Sequence, residues 1–255
     1  MNQNRVLTLV IATALALKAQ WLNYPAPGIP RSADGKPILT APTPRASDGN
    51  PDLSGLWQMN RRDFVKFHVN LAADLKGLLL QSPAEKLYKQ RIDTFGVDDP
   101  SSRCLPSGVP RIYADPSAYR IIQFPELFVI LYESERLYRQ IFTDGRELPT
   151  DPNPTWMGYS VGHWEGEQFV VASSGFNGKT WLDSSGHPSS DALRVIERLK
   201  RLDFGHMEME VVVEDSKMYT RPWEFRALLE LLPDTELLEY ICRENEKDLS
   251  HLVGR

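Results

Sequence analysis

Two groups of residues in this chain have the types and spacing for acid–base chemistry. The first is Asp183 and His187, four residues apart in the segment 175–190, which mixes Phe176 and Trp181 with Asn177 and four serines. In a single helical turn the two side chains would meet, and the carboxylate would orient the imidazole. An ordinary loop in which Asp183 caps a turn accounts for the same residues. The second is Glu197, in the run Leu193-Arg194-Val195-Ile196-Glu197-Arg198-Leu199. Alternate residues of a strand point to opposite faces, so Leu193, Val195, Glu197 and Leu199 share one face. A carboxylate in an apolar row is costly unless it is paired, hydrogen-bonded or used. It serves either as a general acid or base in an apolar cavity, or as half of a buried ion pair with Arg120, Arg139 or Arg221. A one-residue bulge would instead turn it outward.

The residues that would surround such a site are aromatic or soft: Trp156, Tyr159, Trp181, Met207, Met209 and Trp223, with Tyr219 beside them. Tyr159 or Tyr219 supplies a candidate acid. Methionines on an inner face suit an adaptable lining, and equally suit plain core. Other chemistries lack their signatures. There is no Gly-x-Ser-x-Gly elbow, His-Glu-x-x-His, Gly-x-Gly-x-x-Gly or phosphate-binding loop. No two of the five histidines are spaced i, i+2 or i, i+4, and neither CxxC spacing nor a Cys/His cluster occurs, so nothing argues for a metal. No cofactor is implied. The net charge of −5, without a basic aromatic cluster, argues against nucleic acid as a partner.

The elements that must position these residues are mostly strands. Residues 119–124, 127–133, 137–142, 159–164, 168–173, 194–202, 206–214, 223–231 and 236–243 read as short strands, most joined by hairpins. Asp144-Gly145 is a hairpin signal, and Glu165-Gly166-Glu167 is a tight connection. In 206–214, Met207, Met209, Val211 and Val213 share an inner face, opposite His206, Glu208, Glu210 and Glu214. A first strand carries Trp57. Between them, leucines at 71, 75, 78, 79 and 87 fall at helical spacing, and Ser82-Pro83-Ala84-Glu85 starts a helix with Ser82 as N-cap. One or two helices are expected within about 70–95. There is no βαβ alternation. The fold expected is mainly β: an antiparallel barrel over 51–255 as a single domain, with that helical insertion.

Ahead of it, residues 21–50 carry Pro25, Pro27, Pro30, Pro37, Pro42 and Pro44, and should form an extended, poorly packed linker or an arm over the surface. Residues 1–20 combine Arg5, an apolar stretch from Val6 to Leu17, and Ala14-Leu15-Ala16. That pattern predicts a signal peptide, the alternative being a retained N-terminal anchor. No later stretch is long and apolar enough to span a bilayer. Export makes a disulfide the expected state of the two cysteines, Cys104 and Cys242, rather than two buried thiols.

Several pieces resemble a large family of exported bacterial proteins, most of them uncharacterised. They are Cys104-Leu105-Pro106-Ser107-Gly108-Val109-Pro110-Arg111, Trp164-Glu165-Gly166-Glu167, Tyr219-Thr220-Arg221-Pro222-Trp223, Gly186-His187-Pro188 followed by Glu197-Arg198, and Glu239-Tyr240-Ile241-Cys242 followed by Glu244-Asn245. The resemblance covers most of the chain after Asn50 and implies compartment and a single domain rather than an activity. Glu167 stands where the resemblance would put Asp. The tryptophan-bearing hairpins also resemble those of lipocalin-like (calycin) barrels, a fold-level likeness that includes carriers and enzymes alike.

The expectation is an exported, periplasmic or extracellular barrel that binds a small apolar or aromatic molecule in its mouth, with Glu197, His187 and Asp183 as the placed polar groups. A competing expectation is a cofactor-free lyase, hydratase or isomerase in the same cavity, with Glu197 or His187 as base and Asp183 as orienter. A third is an envelope interaction module that uses the Pro-rich arm. The enzyme requires Glu197 and His187 to converge. The carrier requires only one of them inside.

Overall fold

A computed structural model describes residues 25–244. The expected signal peptide at 1–20, the start of the arm and the last residues of the charged tail lie outside the described residues.

Nine strands form one closed barrel in sequence order: β1 (Gly55–Met59), β2 (Tyr119–Gln123), β3 (Leu127–Tyr132), β4 (Tyr138–Phe142), β5 (Tyr159–Glu165), β6 (Gln168–Ser174), β7 (Arg194–Arg201), β8 (His206–Glu214) and β9 (Trp223–Leu231). The ring closes where β9 pairs with β1, Leu231 opposite Trp57. The interior is the set of alternate residues read from the strands. On β8 these are Met207, Met209, Val211 and Val213; on β9, Leu229, Ala227, Phe225 and Trp223 lie opposite them in that order. Trp57, Tyr119, Ile130, Ile141, Phe169 and Val195 complete the same core. Each such side chain taken out of water contributes about 1.5–3 kcal/mol, so the period of two holds the register.

One pair of neighbours is not antiparallel. β4 and β5 run parallel, through only two register pairs, Ile141 with Ser160 and Phe142 with Val161. Strands that alternate up and down can close a ring of nine only if one adjacent pair runs the same way. The fully antiparallel barrel expected from the sequence is corrected at this seam. The Asp144-Gly145 turn does not close a hairpin; residues 143–158 lead the chain out and back, so that the start of β5 lies beside the end of β4 and runs on in the same direction. The seam is tight. A Cβ on Gly162 would sit 2.5 Å from Phe169 Cζ and 2.9 Å from Ile141 Cγ2.

Two further expectations shift. Residues 236–243 form no strand; β1 supplies the ninth place. Among the described residues α-helix is confined to α1 (Arg61–Phe67), which the leucine spacing did not anticipate, and α2 (Ser82–Asp93), while 70–80 is mostly turns. The cap of α2 is Gln81, one residue ahead of the expected Ser82. Asn60 caps α1 through its side chain, which accepts from Asp63 N at 2.8 Å.

The barrel has two different ends. At the end where β5–β6 and β7–β8 turn, the arm is tied down. Phe204 N and Gly205 N donate to Ala41 O and Leu39 O, both at 2.7 Å, and Arg45 pairs with Glu167. Arg201 is buried there and donates to backbone carbonyls of Asp52 and Phe204, and burial brings its pKa down to about 10. The poorly packed linker is therefore an arm seated on the barrel. At the opposite end, α1, α2 and the segments 94–118, 175–193 and 215–222 gather. Cys104 and Cys242 form a disulfide, Cα to Cα 5.8 Å, which ties this loop-covered end to the chain after β9.

Candidate functional site

The connection from β6 to β7 doubles back on itself. Trp181 bridges to Pro188, Leu182 N donates to His187 O at 2.9 Å, and Gly186 N donates to Asp183 O at 3.2 Å. A tight turn, not the helical turn considered above, brings Asp183 to His187. Gly186 takes φ +99° in it, a conformation that only glycine adopts freely.

Asp183 Oδ2 accepts from His187 Nδ1 at 2.6 Å and from Leu71 N at 3.0 Å. Its Oδ1 accepts from Ser185 Oγ at 2.8 Å and His187 N at 3.2 Å. Both residues are buried. Burial works to raise the Asp183 carboxyl, but the hydrogen bond and charge of His187, then the Ser185 hydroxyl, outweigh it and hold it below the usual carboxylate value. An ionised Asp183 holds an imidazole proton on Nδ1 and leaves Nε2 as the ring nitrogen outside the pair. Among the described residues Nε2 has no hydrogen-bond partner.

α2 supplies the walls. Tyr88 stacks on the imidazole, centroids 4.6 Å apart at 7°. Arg91, one turn on, donates to Gly186 O at 3.0 Å and lies over Trp181 at 4.2 Å. Burial lowers Arg91 to about 10. Residues three apart share a helix face, so one face of α2 contacts both the ring and the turn beneath it. Tyr219 closes another side. It donates to Pro188 O at 2.8 Å, and burial, then the negative charge of Asp183, raises its pKa. Arg111 grips Asp99 with two bonds of 2.9 and 2.7 Å and reaches Ser184 Oγ at 3.1 Å, which fixes the loop from outside.

Glu197 belongs to a separate cluster, inside the barrel. Its partner is Arg139, rather than Arg120 or Arg221, and both side chains are 1% exposed. Arg139 Nη1 donates to Glu197 Oε1 at 2.8 Å and to Tyr113 Oη at 2.8 Å; Nη2 donates to Glu197 Oε2 and, at 2.7 Å, to Ser173 Oγ. Nε donates to Ser160 Oγ at 3.0 Å. Burial works to lower the guanidinium pKa, but Glu197 outweighs it and holds Arg139 well above its usual value. Burial foremost, with the Glu197 charge adding to it, pushes the Tyr113 and Tyr119 phenols up, and Tyr119 Oη has no hydrogen-bond partner. This cluster shares no hydrogen bond with the Asp183–His187 pair among the described residues.

The other expected site residues separate in the same way. Met207 and Met209 are packed in the barrel core. Tyr159 begins β5, stacks on Phe142 and accepts from Arg146 at 2.9 Å, away from the dyad. Trp156 is half-buried, its carbonyl against Gly108. Trp223 meets Tyr219 edge-on at 5.8 Å, at the barrel rim. Tyr88, Arg91 and Ser185 went unrecognised in the sequence. The i, i+3 spacing of Tyr88 and Arg91 in a recognised helix was the available signal. Among the described residues no group of three or more His, Cys, Asp or Glu is placed to hold a metal ion.

Compared with protein-family models, curated proteins and solved structures, the chain has no match.

Proposed function

We propose that the loop-covered end of the barrel is an acid–base site for a small apolar or aromatic molecule, with His187 as the base and Asp183 as its positioning residue. One observation carries this reading: the Asp183 carboxylate binds Nδ1 at 2.6 Å and leaves Nε2 unpartnered. A fixed tautomer with a free lone pair is what proton abstraction requires. The reaction class is a cofactor-free lyase, hydratase or isomerase step, in which Nε2 takes a proton from carbon or from water. Tyr88 and Trp181 supply the aromatic surroundings.

Core side chains occupy the middle of the barrel, so the molecule is placed at its end rather than between the strands. Glu197 and His187 do not converge, so the two-residue site expected of an enzyme is not formed; Arg139 occupies both Glu197 oxygens, and the acid–base reading rests on His187 and Asp183 alone. The N-terminal pattern and the Cys104–Cys242 disulfide support export, to the periplasm or beyond, and the resemblance to exported bacterial proteins points the same way.

The test combines ¹⁵N spectroscopy of the imidazole with a turnover screen over small carbonyl and hydroxy compounds. His187 should carry its proton on Nδ1, and Asp183→Asn should lose that preference. A turnover found with wild type should fall by at least about 10²-fold in His187→Asn. A proton on Nε2 in wild type, or undiminished turnover in His187→Asn, overturns the reading.

A further inference from the structure

His187 is only 4% exposed, and α2 lies over it. Tyr88 covers a face of the imidazole, and Arg91 covers the turn that carries Asp183 and His187. A base in this state reaches no substrate, so the element that covers it has to move. The turn itself is tied from two other sides, by Leu71 N to Asp183 and by Tyr219 to Pro188 O. Lifting α2 would therefore leave the dyad in place.

α2 is held lightly. Ahead of it the chain is anchored by backbone bonds: Thr220 N donates to Leu79 O at 2.9 Å, and Gln81 N donates to Met218 O at 2.8 Å. Behind it the chain is anchored at Asp99, gripped by Arg111. Between these anchors, among the described residues, a single hydrogen bond ties 82–97 to the rest of the chain, from Arg91 Nη1 to Gly186 O. The other ties are the Tyr88–His187 stack and Arg91 over Trp181. Ala84 is the one residue of α2 that is fully buried. Glu85, Lys86, Lys89, Gln90 and Asp93 stand in water. The turn after the helix packs on little: Phe95 is 97% exposed, and Phe95 and Gly96 take φ of 53° and 71°. A helix of this length depends on the face it buries. Elements with few buried contacts open at a fraction of the free energy of global unfolding.

We propose that α2 is a lid over the Asp183–His187 pair, turning about Gln81 and the Phe95-Gly96 turn, with Tyr88 and Arg91 as its latch. Open, it admits a substrate to Nε2; shut, it keeps bulk water from the imidazole. This inference rests on the reading of His187 as a base for its purpose, but its readouts need no turnover. A lid that opens over an inert histidine and a reactive histidine without a lid are therefore separate results.

The test couples native-state hydrogen exchange to modification of His187 by diethyl pyrocarbonate, followed peptide by peptide by mass spectrometry, with the exposed His163 as reference. Amides of α2 should exchange through an opening that depends little on urea, well before those of β7 and β8. His187 should react more slowly than His163 in wild type. Tyr88→Ala should speed its modification by roughly 2–10-fold, the loss of one aromatic pair. Arg91→Gln leaves Tyr88 on the ring and removes the hydrogen bond, so α2 exchange and His187 modification should rise in parallel. That variant carries the test even if Tyr88→Ala disturbs the fold. Amides of α2 that exchange only with those of β7, at the same urea slope, would overturn the proposal. So would a wild-type His187 as reactive as His163, or one whose modification does not follow α2 exchange in Arg91→Gln.

Discussion

Replacing Glu197 by glutamine separates the two roles that its sequence position allows. The substitution keeps the volume and removes the charge. In the structure Arg139 makes five hydrogen bonds, two of them to Glu197. A glutamine can accept one of those two; its NH₂ then faces an Arg139 Nη donor. The guanidinium stays charged inside the barrel with no counter-ion, since arginine does not deprotonate in proteins. Breaking a buried pair from one side costs about 3–5 kcal/mol. For a chain of this length each kcal/mol is worth ~2–4 °C, so Tm should fall by roughly 6–20 °C. Urea unfolding at pH 7, followed by tryptophan fluorescence, gives the free energy directly. The double variant Arg139→Met/Glu197→Leu removes both charges, while Ser160 and Ser173 keep their mutual bond of 2.9 Å. It should lie closer to wild type than Glu197→Gln does, because apolar replacement of a whole buried pair is often neutral. A Glu197→Gln protein within about 0.5 kcal/mol of wild type, or a double variant whose loss equals the sum of the two single losses, would refute the ion-pair account.

Reduction of Cys104–Cys242, which closes a sequence separation of 138 residues, should cost about 2–5 kcal/mol and lower Tm; an unchanged melt with two titratable thiols would contradict a stabilising bond. Asp99 gives a pH test. Burial works to raise its pKa, but two hydrogen bonds and the charge of Arg111 outweigh it and hold the carboxyl below its usual value. Its stabilisation should be complete above about pH 4 and be lost as pH falls through the folded-state value. Asp99→Asn should therefore flatten the stability profile on the acid side of pH 4, and an unaltered slope there would count against the Arg111 pairing.

Much of the local order was legible because it is local. The period of two in β7 and β8 put Val195, Glu197 and Leu199, and separately Met207 to Val213, on single faces, and the barrel keeps both assignments. The spacing of Asp183 and His187 marked a pair that could meet, although the geometry bringing them together is a glycine turn rather than a helix. The two cysteines implied a bond that the fold makes. The helices were harder to place. Leucines at 71, 75, 78 and 79 follow a helical period, but Leu71, Leu75 and Leu78 pack irregular chain against the core while Leu79 is exposed, and packing there overrides the pattern.

By itself the sequence determined that most of the chain would be strands with an apolar face, that Glu197 would share that face with Val195 and Leu199 if no bulge intervened, and that a buried charge there would need an answer. Each follows from nearest-neighbour geometry along the chain. Only the tertiary structure decided which of three arginines answers it, because Arg139 reaches Glu197 across the interior from β4 to β7, a distance no spacing encodes. The parallel seam between β4 and β5 follows from the parity of nine strands in a closed ring, which no single hairpin reveals. The face of α2 that sets Tyr88 on His187 likewise depends on how the helix lies across the barrel end. Contacts among elements far apart in sequence fix that placement, and with it the free nitrogen on which the proposed chemistry rests.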